Sequence, residues 1–201
     1  MTDHHDDPTH DAVPGLDWWL GDPELWTLLE FEAGHDEHNR PVDLTWKERQ
    51  QVLEDLIRGP EPADLRFARF LLTQETHAHG HSWGFRHSIE IAAILVAEHH
   101  QVQDVWLLWE AVYRSFDTWG IMPHPLLYAA GVEHTLRYAA DSDHPRRDLL
   151  LEDLRKMPDV TDEHVEQLIA ERRRYYTETL EALEAPTVAV PSQADGRSGR
   201  P

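Results

Sequence analysis

Histidine is the residue type in this chain with the most potential for chemistry: 15 of 201 residues. His77, His79 and His81 alternate along His77-Ala-His-Gly-His81, and His87 follows six residues later. An extended backbone turns alternate side chains to one side, so a loop here would aim three imidazoles together. Gly80 favours such a loop. Neutral imidazole is a common transition-metal ligand, and three can hold Zn²⁺ or Fe²⁺ with one position open for water. On a helix, only His77 and His81, four residues apart, would share a face. A helical wheel for the next segment puts Ile94 and Glu98 each within about 20° of His87, and Glu90 about 60° from it. His77, His79, His81 and His87 are thus the candidate metal ligands. The competing reading is a solvated His-rich loop, because His4-His5 and His99-His100 show that clustering is partly compositional.

Two further positions are candidate catalytic groups. On a helix from Pro125, His134 falls among Leu127, Ala130, Gly131 and Tyr138, where a buried neutral imidazole can act as a general base. The alternative is a core histidine bonded to a backbone carbonyl. Asp117, at the C-terminal end of an apolar helix, opposes the macrodipole and calls for a local partner. Glu133 stands four residues before Arg137, the favourable order for a surface ion pair.

Tryptophan supplies candidate partner-binding anchors. Of the eight, Trp18 and Trp19 are neighbours that cannot easily face the same way, and Trp106 lies toward Glu110, off the apolar face that carries Trp109. Exposed indoles anchor interfaces, whereas Trp18 or Trp19 folded back over the core would act as a lid.

Several chemistries are excluded or unsupported. With no cysteine, disulfides, iron–sulfur clusters, thiolate zinc sites and thiol catalysis are ruled out. Walker, Gly-rich dinucleotide, HExxH, GxSxG and EF-hand patterns are missing. No cofactor is demanded, and Zn or Fe on the histidines is the sole candidate.

The net charge is −20. Residues 1–39 hold eleven acidic groups and no Lys or Arg, whereas residues 40–184 hold 26 acidic and 16 basic groups. That balance opposes binding to nucleic acid or an anionic membrane. The start, MTDHHDDPTHD, is acidic where a secretory signal is basic, and the longest apolar run is Ile91 to Ala97. A cytoplasmic protein is expected.

The elements that must position these groups are helical almost throughout. Asp22-Pro23 starts a short helix, and Thr45 with Glu48 has capping-box spacing before a helix stopped by Gly59. Further helices are expected from Pro62, over Trp83 to His100, from Asp104 through Phe116, over Pro125 to Ala140, over Pro145 to Met157, and from Asp162 to about Glu184 behind the cap Thr161. The expected fold is all-α: an antiparallel bundle or short irregular array of about 7–8 helices over residues 17–184. A disordered acidic arm (1–16) and a flexible tail (185–201) are expected to flank it. The leading functional expectation is an acidic protein-binding module, such as an inhibitor, an antitoxin- or immunity-like protein, or an adaptor, with a basic protein partner. The alternative is a small metal-dependent enzyme built on the four histidines.

Overall fold

The computed structural model describes residues 15–185; the expected arm and tail fall almost wholly outside the described residues. The fold is all-α. Its helices are α1 (Leu16–Gly21), α2 (Trp46–Arg58), α3 (Leu65–His81), α4 (His87–Ala97), α5 (Val105–Val112), α6 (Phe116–Ile121), α7 (Val132–Ala140), α8 (Arg147–Arg155) and α9 (Asp162–Glu184). Tight 3-10 turns cover Pro23–Leu29, Val102–Asp104 and His124–Tyr128. One hairpin, β1 (Ala33–His35) with β2 (Pro41–Asp43), is antiparallel with Gly34 opposite Val42. Among the described residues no helix is long and apolar enough to cross a membrane.

The most apolar helix takes the centre. From Ser88 to Ala97 every residue of α4 is buried, as expected for a helix apolar on all sides. Around it pack α2, α3, α5 and α9, and α7 packs on α8. Start and stop signals act locally. Asp64 accepts the Phe67 amide at 2.9 Å to begin α3, Thr161 accepts that of His164 at 3.2 Å to begin α9, and Gly59 ends α2.

Several expected elements differ, three of them in the layer and connections around the core. The stretch from Pro125 to Ala140 is split, because Gly131 takes φ 94 and the Val132 amide donates to Asp162 at 2.7 Å. The polar segment 34–41 forms a hairpin, its turn held by Asp36, whose Oδ1 accepts the amides of His38 (2.8 Å) and Arg40 (2.9 Å). Thr45 makes no side-chain cap; its hydroxyl donates to the Glu30 carbonyl at 2.6 Å.

Thr45 is diverted by a buried charge cluster. Arg49 has no exposed surface. Its Nε donates to Glu75 at 2.9 Å, one Nη to Thr45 Oγ1 (2.7 Å) and the Leu29 carbonyl (3.2 Å), and the other to Asp43. Asp43 also accepts the Glu32 and Thr45 amides, and Glu75 accepts the Ser88 hydroxyl at 2.5 Å. A guanidinium suits this position because its planar fork serves several acceptors at once. Arg49→Ala should destabilise the protein by about 3–5 kcal/mol, since two carboxylates would remain buried without their counter-charge. Urea unfolding measures this, and a loss under about 1 kcal/mol would show that the cluster is dispensable.

Candidate functional site

The four candidate metal ligands do not converge. His77-Ala-His-Gly-His81 is the last turn of α3, not a loop. Gly80 is tolerated there because the Arg114 guanidinium lies across it, where an added Cβ would collide. The helix turns His77 and His81 to the side of Phe31, with ring centroids 6.4 and 5.3 Å away, and sends His79 into the interior. Both His79 ring nitrogens are engaged: Nδ1–H donates to the Glu75 carbonyl at 2.8 Å, and Nε2 accepts the Arg86 amide at 3.1 Å. Burial holds the His79 pKa below the ordinary histidine value.

His87 belongs to a different set. Its Nδ1 meets the Tyr176 hydroxyl at 3.0 Å, and that hydroxyl donates to buried Glu90 at 2.6 Å. Burial, reinforced by Glu90, raises the Tyr176 pKa. Arg172 approaches the other Glu90 oxygen at 3.3 Å, and Arg173 pairs with Glu98. The His/Glu stripe of α4 is thus answered by α9, whose Arg172, Arg173 and Tyr176 recur at helical spacing. Among the described residues no group of three His, Cys, Asp or Glu is arranged to hold a metal ion.

The other candidates also move. His134 is exposed, because α7 begins only at Val132 and buries Thr135 and Ala139 instead. Asp117 is not at a helix C-terminus: α5 stops at Val112, and Asp117 sits in the first turn of α6, where a carboxylate favours the dipole. Glu133 and Arg137 pair on the surface at 2.8 Å, as expected. Trp19 enters the core while Trp18 packs edge-on against it, half exposed. Trp106 is half-buried, stacked on His144 at 3.9 Å.

The most exposed aromatic side chains lie elsewhere. Trp83, in the short connection between α3 and α4, is 93% exposed, and Phe116, the first residue of α6, is 81% exposed. Gly84, at φ 91, turns the connection so that its amide donates to Asp117 Oδ2 at 3.1 Å, which ties the Trp83 segment to α6. Ser115 and Thr118 fix the start of α6 by a reciprocal capping box. Trp119 lies 6.0 Å from Phe116, centroid to centroid, and exposed Ile121 follows. With Trp83, the hairpin residues Asp36, Asn39, Arg40, Pro41 and Val42 line a groove of about 620 Å³.

Sequence periodicity extends the α4 helix back to Trp83 and the α5 helix on through Phe116. The available signals were the Gly84 turn and the Ser115/Thr118 spacing, which starts a new helix and rotates Phe116 outward.

Comparison with protein-family models, curated proteins and solved structures gives no match to this chain.

Two outcomes test the buried networks. Because folding depresses the His79 pKa, the unfolded chain takes up a proton below about pH 6.5 that the folded chain refuses. Stability is therefore complete above that pH and falls as pH drops, by at most about 1.4 kcal/mol per unit from this group. Denaturation at pH 7.5 and 5.5 should show a shallower loss for His79→Gln than for wild type; equal losses would contradict the assignment. Tyr176→Phe, which strips buried Glu90 of its hydroxyl donor, should cost about 1–3 kcal/mol in thermal or urea unfolding. A neutral result would mean that the bond contributes nothing.

Proposed function

We propose that this chain is a non-enzymatic, acidic protein-binding module of the cytoplasm, acting as an inhibitor, an antitoxin- or immunity-like protein, or an adaptor. Its partner docks on the face made by Trp83, Phe116 and Trp119. The observation that carries this reading is the exposure of Trp83 and Phe116, 93% and 81%, on two segments joined by the Gly84–Asp117 hydrogen bond. Large aromatic side chains dominate interface energetics when a partner desolvates them, and a face fixed by caps and hydrogen bonds loses little entropy on docking.

Charge supports a basic partner protein over nucleic acid or membrane. Asp17, Asp22, Glu24, Glu30, Glu32 and Glu37 are exposed in the N-terminal layer, and among the described residues none pairs with Lys or Arg. Such a layer speeds the encounter with a basic surface and makes it sensitive to salt.

Affinity isolation from the native host at low salt tests the proposal, with wild type compared against a Phe116→Asp, Trp119→Asp double variant. One protein should co-purify stoichiometrically with wild type and fall at least tenfold with the variant, while the variant keeps its thermal midpoint. Equal recovery by both proteins, or no stoichiometric partner on wild type, would refute the docking face.

A further inference from the structure

Taking the chain as the protein-binding module proposed above, we infer that the groove between the β1–β2 hairpin and Trp83 receives a cationic segment of the partner protein. An arginine or lysine side chain of that segment lies on the Trp83 indole.

The tryptophans themselves set Trp83 apart. Seven of the eight have a ring or cation of this chain against them. Trp18 packs on Trp19, Trp26 on Phe67, Trp106 on Trp109 and His144, and Trp119 on Phe116 and His124. Cations of the chain cover three of these indoles. Arg66 lies 6.0 Å from Trp26, Arg86 5.7 Å from Trp46, and Arg146 4.8 Å from Trp109. Among the described residues Trp83 has no such neighbour, although it is the most exposed of the large hydrophobic side chains. An indole face is the strongest of the aromatic cation acceptors, and here it stands open to an incoming charge.

The groove fits the rest of such a segment. Pro41 and Val42 offer apolar wall for an aliphatic stem or neighbouring side chain, and the volume lies in the range of small binding clefts. The groove's own cation, Arg40, is held by Asp36, Nε to Oδ2 at 2.7 Å, and in return Arg40 keeps the Asp36 pKa below its usual value. The adjoining Glu37 is 85% exposed, and among the described residues its ion-pair neighbour is His38. Glu37 is thus an exposed carboxylate beside the groove with no Lys or Arg on it among the described residues. A second copy of this chain, itself at −20, is the occupant that charge disfavours most.

A capped Gly-Leu-Arg-Leu-Arg-Leu-Gly peptide probes the groove against the same peptide with Glu for Arg, using calorimetric titration and indole N–H NMR shifts. The Arg peptide should shift the Trp83 indole and lose affinity at least tenfold on Trp83→Ala, at unchanged net charge. Trp83→Phe should lose less, and the Glu peptide should not bind. Equal binding by wild type and Trp83→Ala would overturn the inference, since it would mean that the acidic surface gathers the peptide without the groove. A Trp83-dependent dimer in sedimentation would overturn it too, because a second copy would then occupy the groove. If the groove result fails while the Phe116/Trp119 variant still loses its host partner, the module reading stands without the groove. If the peptide needs Trp83 but the host yields no partner, the cation site stands and the module reading falls.

Discussion

A guanidinium sealed from solvent holds the N-terminal layer to the helices. Arg49 projects from α2 into the point where the Leu29 carbonyl, β2, α3 and α4 meet, and its hydrogen bonds run to three of those four. Glu75 carries the link to α4 through Ser88. The hairpin needs this support, because three-residue strands paired only with each other are marginal in water. Asp43, the last residue of β2, is fastened to Arg49, so the position of the hairpin is set from the interior outward. A second set of polar contacts ties α9 across α4, through the buried Glu90–Tyr176 pair and the half-buried Glu98–Arg173 pair. Both clusters have a cost, since each charge leaves water. What they supply is a directional set of bonds between segments, which non-directional apolar contact does not specify.

That placement is what the proposed function uses. The hairpin forms one wall of the groove, the α3–α4 connection presents Trp83 as the other, and the Gly84–Asp117 bond carries the face on to Phe116 and Trp119. None of these aromatic groups is needed to close the core, which is filled by α4 and the helices around it. Caps, a left-handed glycine and a buried ion cluster fix the backbone that carries this face, so the main chain has little conformational entropy to lose when a partner arrives.

The helical class was legible because burial imposes a 3.6-residue period, and local stops and starts such as Gly59 and Thr161 were legible because their chemistry is local. Arg49 was not. It stands between Lys47-Glu48 and Gln50, a context that reads as a solvated helix face, and only tertiary structure brings Asp43 and Glu75 to it. Arg172 and Arg173 were hidden for the same reason. The histidine motif was misplaced because Gly80 suggested a break, whereas Gly80 lies within α3 and makes room for Arg114. The α5 pattern was carried on to Phe116, whereas α5 ends at Val112 and Ser115, in extended backbone, starts α6 with a phase of its own. Trp83 carried no periodic signal that marked it as exposed.

The most direct test of the central claim is hydroxyl-radical footprinting of the tryptophans and Phe116, on the isolated protein and inside the native host. In the isolated protein Trp83 and Phe116 should label heavily and Trp19 and Trp109 weakly. In cells Trp83, Phe116 and Trp119 should become protected together while the buried indoles stay unchanged. Equal labelling of Trp83 and Phe116 in both settings would contradict the assignment of this face to a partner.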